Sequence, residues 1–260
     1  MISEITNLGK GEKNRYNSFM NYQINYAKSR PQMYDFKSRE QKAKKYLRIL
    51  EDYLDPKEMR KLTVFDIGSS TGIIDNILSM RFKKVVGGDI DKRAVEFAKQ
   101  NFKRNNLRFR VEDAMKLSYK NSSFDIVICA QVYEHVPSEE KLFSEIYRIL
   151  KPGGICFLAA VNKFWFLEPH YNLPFLSWLP QNLADFYVKL FKKSNRYFEH
   201  PRSYWSLKKM TSNFDQFEYT QKILNHPKKF GFDSLPLTNT LAKALKYFTP
   251  TFYWILKKKS

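Results

Sequence analysis

Between Leu62 and Gly72 the chain reads LTVFDIGSSTG, and this stretch limits the fold more than any other. Thr63, Val64, Phe65 and Ile67 suit a buried strand. Gly68 to Gly72 is a short turn of glycine and small hydroxyl residues, after which Ile73, Ile74, Ile77 and Leu78 recur at helical spacing. Strand, tight turn and helix in that order predict the first unit of an open α/β sheet. At the carboxyl end of such a strand glycine lets a ligand approach the backbone, and the helix amino terminus offers free N–H groups, so nucleotide-like ligands bind there.

Two ligands compete for such a turn, a dinucleotide with its pyrophosphate and the sulfonium cofactor S-adenosylmethionine. A dinucleotide turn calls for Gly-x-Gly-x-x-Gly, but counting from Gly68 the second and third glycine positions hold Ser70 and Ile73. Asp66, two residues ahead of Gly68, weighs further. A carboxylate there repels a pyrophosphate and attracts the ammonium of a methionine moiety. The sulfonium ligand fits better.

The following stretches extend the sheet. Residues 83–89, KKVVGGD, read as a second strand ending in Asp89, which lies at the spacing from Gly68 that sets a carboxylate against ribose hydroxyls. Ile90 is placed to cover a face of adenine. Asp91 competes for the ribose, but it also stands where a helix N-cap belongs, ahead of Ala94, Val95 and Ala98. Residues 107–111 alternate as a third strand, and 124–130, FDIVICA, are apolar enough for a central strand buried on both faces. Ser138 caps a helix that stops at Lys151, Pro152 and Gly153, and Ile155–Val161 form a fifth strand.

Taken together, VFDIGSSTG, GGDID at 87–91, VEDAMKL at 111–117, FDIVICAQVYEHV at 124–136 and RILKPGGICFL at 148–158 resemble the ordered motifs of class I S-adenosylmethionine-dependent methyltransferases. The resemblance covers roughly residues 40–161 closely and the rest more loosely. It implies a doubly wound, seven-stranded, mostly parallel sheet with an antiparallel last strand. It also implies that Asp66, Gly68, Ser70, Gly72, Asp89, Ile90, Asp113, Ala114 and Gln131 surround the cofactor, with Asp113 accepting from the adenine amino group; Asp113 as a local N-cap is the competing reading. The patch QVYEHV is similar to the Glu-x-x-Glu-His of ubiquinone-type and small-RNA O-methyltransferases, which binds a divalent metal and lowers the pKa of a substrate hydroxyl. The matching residues are Gln131, Glu134 and His135. The neutral Gln131 removes one negative charge from a site for a hard cation, which argues against a metal. Glu168 and His170 are placed to complete a site with Glu134 and His135.

Methyl transfer needs a base only when the nucleophile carries a proton of high pKa. His135, with Glu134 and His170, is the candidate catalytic group, against a structural role for His135 near the loop. His200 and His226 carry no signal.

The remaining chain divides as an amino-terminal helical cap over 1–55, a cofactor-binding core over 56–161, an aromatic lid insertion over 162–200 and the carboxyl-terminal part of the sheet over 201–260. Residues 1 to about 36 are expected to close over the cofactor as irregular helices. From Ser38 to Tyr53, Ala43, Tyr46, Leu47 and Leu50 form one apolar stripe of an amphipathic helix. A helix from Tyr204 to Phe214, a sixth strand from Phe217 to Leu224, a helix at about 238–248 and a last strand in TPTFYWILKKK complete the expected elements. In the insertion, residues 181–193 place Leu183, Phe186, Tyr187, Leu190 and Phe191 on one side and Lys189, Lys192 and Lys193 toward the other. One reading packs this stripe on the domain as a lid, the other dips it into a membrane or a greasy substrate.

The net charge of +19 is carried mainly by the flanks: +6 over 1–62, +3 over 63–161 and +10 over 162–260. An anionic partner such as a phospholipid surface, a phosphorylated substrate or nucleic acid is one explanation, and a lysine-rich proteome is the other. Cys129 and Cys156 fall inside apolar strands and read as packed thiols of a reducing compartment. No stretch reaches 18 uninterrupted apolar residues and MISEITNLGKGEK does not resemble a signal peptide, so a cytoplasmic protein, peripheral at a membrane, is expected. The function expected is O-methylation of a small hydrophobic or lipid-linked acceptor. An RNA methyltransferase ranks second, because no known RNA-binding module is present. A non-catalytic adaptor of the same fold ranks third.

Overall fold

The computed structural model describes residues 23–259, so the amino-terminal part of the expected cap, residues 1–22, lies outside the described residues. Five strands run parallel: β1 (Thr63–Ile67), β2 (Lys84–Asp89), β3 (Leu107–Val111), β4 (Phe124–Ala130) and β5 (Leu150–Val161). Two more, β8 (Phe214–Glu218) and β9 (Thr251–Lys258), close the seven-stranded sheet in the order β3-β2-β1-β4-β5-β9-β8. β9 is antiparallel to both β5 and β8, as expected of the last strand. The chain reverses strand order at β1, where β2 lies on one side and β4 on the other. That switch leaves a crevice beyond the carboxyl ends of these strands.

Alternation along the strands sends side chains to two helical layers. Ile126 and Ile128 of β4 join one buried cluster with Leu47 and Leu50 of the long helix α2 (Phe36–Tyr53). Val127 and Cys129 join the other, with Leu142 and Ile146 of α6 (Glu139–Ile149). Each such large apolar side chain withdrawn from water contributes roughly 1.5–3 kcal/mol. Caps fix the helices: Asp35 accepts from the N–H groups of Lys37 and Ser38, and Ser138 accepts from that of Lys141. Asp91 accepts from those of Arg93 and Ala94 at the start of α5 (Lys92–Asn101) and from that of Ala27 in α1 (Tyr26–Ser29). Asp91 is therefore a cap that also anchors the amino-terminal segment. Cys129 and Cys156 are buried and not bridged.

The expected sixth strand is displaced. β8 begins at Phe214, and residues 220–225 form a short helix, α9 (Thr220–Asn225). Phe217, Tyr219, Gln221 and Ile223 alternate as a strand would, but Tyr219 and Ile223 are also four residues apart. Both are buried in the cluster that contains Leu47 and Leu50 of α2, so packing on that helix overrides the alternation. The preceding helix, α8 (Tyr204–Met210), ends before Phe214, which is consumed by β8. The helix expected to run to Lys151 stops at Ile149, because Leu150 already pairs with Phe124 of β4.

Residues 162–202 leave the sheet after β5 and return to the same point, where Asn162 bridges Arg202. The loop carries a two-stranded ribbon of β6 (Leu167–Glu168) and β7 (Leu173–Pro174), then helix α7 (Gln181–Leu190). Its interior is a small cluster of Tyr171, Leu173, Leu176, Ala184, Val188 and Tyr197. Leu183, Phe186 and Leu190 of the apolar stripe point to solvent, while Ala184 and Val188 face inward. Of the stripe, Tyr187 packs with Ala184 and Val188 on the insertion's own core, while its other large side chains do not make that contact.

Candidate active site

A cleft opens over the carboxyl ends of β1, β2, β3 and β4, lined by Gly68, Ser70, Asp89, Ile90, Asp113 and Ala114, with Gln131 and His135 on its far wall. Met33, Arg39 and Tyr26 close it from the amino-terminal side. The turn after β1 is bent by left-handed residues, Gly68 at φ 72° and Ser70 at φ 50°. At Gly68 a Cβ would lie 2.5 Å from Val132 Cγ2, so the backbone there approaches the β4 loop too closely for any side chain.

Asp89 is the best defined group of the cleft. One carboxylate oxygen accepts from the Ser70 N–H at 2.7 Å and the other from the Asp91 N–H at 2.8 Å, which fixes both oxygens at the rim of the turn. Burial raises its pKa to about 6, against the lowering effect of these N–H donors. Across the cleft, Asp113 accepts from the Met115 N–H through Oδ1, whereas its buried Oδ2 has no hydrogen-bond partner among the described residues. An orphaned carboxylate oxygen beside Ile90 and Ala114 suits an exocyclic amine, and Asp89 suits a pair of vicinal hydroxyls.

Two expected residues are placed differently. Asp66 does not line the cleft; it is buried behind the turn, where burial and the neighbouring Asp75 carboxyl raise its pKa well above the usual range while Arg39 opposes them. Gly72, too, stands apart from the cleft: a Cβ there would strike Phe109 and Ala98 at 2.6–2.7 Å, so its glycine serves the packing of α4 (Ile73–Leu78) on the sheet. Arg39 was not singled out by the sequence, although it shares the buried stripe of Ala43, Tyr46 and Leu50 on α2. Its Nε is buried without a hydrogen-bond partner among the described residues and it lines the cleft, so it suits a carboxylate. Gln131, held at φ 59°, accepts a 2.7 Å hydrogen bond from Lys42 of the same helix. Burial, with Arg39 nearby, lowers the Lys42 pKa to about 8.

Behind His135 the insertion meets the core. Glu134, His135 and His170 bring ligand atoms within 4.8 Å of one another. The rings of His135 and His170 meet edge to face at 4.7 Å, and His170 Nδ1 lies 2.6 Å from Glu168 Oε1. Glu199, which no sequence signal indicated, approaches His135 Nδ1 at 3.8 Å. Glu168 is fixed in turn by the N–H groups of His170 and Tyr171. Of this group only His135 lines the cleft, while Glu134 is fully buried and His170 stands behind it. Burial holds His135 neutral, far below the usual imidazole range. His170 rises to about 8 because Glu168, Glu199 and Glu134 outweigh its burial, and burial lifts Glu134 to about 7.

A sheet that reverses at β1, with acids at the ends of β2 and β3 facing one cleft and no pyrophosphate pattern in the first turn, defines an α/β protein that binds an adenosine-type cofactor. Residues 65–158 match the family described as methyltransferase domain. Those residues therefore form a class I S-adenosylmethionine-dependent methyltransferase domain, whose cofactor is S-adenosylmethionine. It is 28% identical over 177 residues to a ubiquinone biosynthesis O-methyltransferase of Pelagibacter ubique, covering 65% of this chain and 72% of that protein. A protein of the same description from Bartonella bacilliformis is 29% identical over 48% of this chain, which spans only 52% of that relative. A ubiquinone/menaquinone biosynthesis C-methyltransferase of Desulfotalea psychrophila is 32% identical over 36% of this chain and 39% of its own length. Among solved structures, a possible histamine N-methyltransferase from Thermotoga maritima matches in fold with a TM-score of 0.56 at 17% identity, over 92% of this chain and all of that one.

Proposed function

We propose that this protein transfers the methyl group of S-adenosylmethionine to an oxygen of a small apolar or lipid-linked acceptor. The relatives include both O- and C-methyltransferases, so the choice of oxygen rests on His135. A neutral imidazole at the cleft wall, backed by the buried Glu199 and His170, is placed to take the proton of an acceptor hydroxyl as its oxygen is methylated, whereas a neutral amine attacks through its lone pair without such a base. Asp89 and Asp113 would hold the ribose and adenine, and Arg39 the methionine carboxylate. The bound cofactor supplies an electrophilic methyl on a good leaving group, and the walls supply alignment.

The residues also fit a divalent ion. Glu134 presents two buried oxygens that have no hydrogen-bond partner among the described residues, and each imidazole is backed by a second carboxylate, Glu168 behind His170 and Glu199 near His135. One carboxylate and two imidazoles suit zinc, iron or manganese better than an all-oxygen ion such as magnesium or calcium. A metal bound there would lower the pKa of an acceptor hydroxyl. Gln131, turned to Lys42, would take no part.

The test is mass spectrometry of lipid and small-molecule extracts incubated with the full chain and isotopically labelled cofactor. A labelled methyl ether on one hydrophobic species is the expected product. Label on carbon or nitrogen, on RNA, or nowhere despite cofactor binding would overturn this reading.

A further inference from the structure

The stripe of α7 turned to solvent is the largest feature the chemistry leaves unused. Leu183, Phe186 and Leu190 fall on one helical face and are 55%, 64% and 61% exposed, with Phe191 following at 50%. Phe175 and Trp178, exposed on the turn that leads into the helix, extend the apolar surface. Such a cluster is costly in water and is normally covered by a partner.

The charges around it say which partner. Lys189, Lys192 and Lys193 are exposed beside the stripe, and between residues 169 and 198 the sole acid is Asp185. Asp185 is engaged inward, accepting from the Tyr197 N–H and the Gln181 side chain. An apolar face with an exposed Trp, edged by lysines and free of outward acids, matches the surface of an anionic bilayer. The helix can give its outer face to lipid without unfolding, because Ala184 and Val188 already hold its inner face on the small core of the insertion.

We propose that residues 175–193 dock this protein on the surface of an anionic membrane, with α7 lying in the interface plane. His170 and Glu199 belong to the same insertion and contact His135 on the cleft wall, so the docked segment and the cleft share one loop.

Flotation of the full chain with vesicles of phosphatidylcholine, alone or with about one-third phosphatidylglycerol, tests the proposal. Wild type is expected to float with the anionic vesicles and to lose retention at high salt. Changing Lys189, Lys192 and Lys193 to Gln should weaken partitioning by roughly fivefold for each lysine removed. The double variant Phe186→Glu with Leu190→Glu should lose it by at least about tenfold. Calorimetry with S-adenosylhomocysteine runs in parallel: unchanged cofactor affinity in the variants shows that they are folded, and its absence in wild type would count against the enzyme reading alone. Failure of wild type to float, equal flotation of the glutamate variant, or a wild-type dimer that the glutamate variant converts to monomer without vesicle binding would overturn the membrane assignment.

Discussion

Replacing Asp89 tests the cofactor site most directly. Its two oxygens are already pinned by the Ser70 and Asp91 N–H groups, and the remaining lone pairs face the cleft where ribose hydroxyls would donate. A hydrogen bond to an ionised group contributes about 1.5–3 kcal/mol, so loss of two in Asp89→Ala should cost about 3 kcal/mol or more, which is roughly 100-fold in affinity. Asp89→Asn, which keeps the shape, should retain part of this. The acid must be ionised to accept both hydroxyls, and burial places its pKa at about 6 in the free protein. Cofactor affinity of the wild type should therefore hold above pH 6 and fall by about tenfold per unit below it, whereas Asp89→Asn should show no such break. The stability contribution has the opposite sign: the folded state holds the Asp89 proton more tightly than the unfolded chain, so this group favours folding most below its ordinary pKa and loses that contribution as pH rises through about 6. Calorimetric titration of S-adenosylhomocysteine into wild type and both variants from pH 5 to 8 measures these quantities. An affinity in Asp89→Ala within a factor of about two of wild type, or a wild-type profile flat across pH 6, would refute the ribose role.

Three further outcomes are expected. Gly68→Ala should destabilise the fold by about 2–4 kcal/mol in urea denaturation, from the left-handed backbone and the 2.5 Å approach to Val132, and added Val132→Ala should restore the steric part; equal losses with and without it would show that the clash is not felt. Zinc or manganese titrated into the full chain should bind with an affinity that Glu134→Gln abolishes and Glu168→Gln lowers by about 10–100-fold, and a wild type that binds neither ion would end the metal reading. Cys129 and Cys156, buried on neighbouring strands with thiols pushed up by burial, should react with a thiol reagent only as the protein unfolds; reaction of the native chain on mixing would contradict their packing.

Much of the site was legible because its signals are local. Gly68, Ser70 and Asp89 stand at strand ends, where the turn pattern and a count of residues from it fix their place, and Asp113 was implied by the family resemblance. Asp66 and Gly72 belong to the same motif, yet only three dimensions show Asp66 turned against Asp75 and Gly72 pressed on Phe109. Arg39 left a trace in the periodicity of its helix, hidden among many lysines and arginines, while Glu199 left none. The helical stripe of 181–193 was visible, but which side of it faces the domain was not. Amphipathicity reports that two faces differ, and in α7 the inward face is the one with the small residues Ala184 and Val188.

By itself the sequence determined the parallel sheet, the order of its motifs and the cofactor class, because strand, turn and helix signals are short-range and the acids follow them at fixed intervals. The tertiary structure alone decided that Glu199 joins the group of Glu134, His135, Glu168 and His170 expected from the sequence, and that a greasy helix face is left to solvent. Those outcomes depend on how a loop of some forty residues folds back on the Glu134–His135 turn after β4, a long-range packing choice that no local pattern encodes.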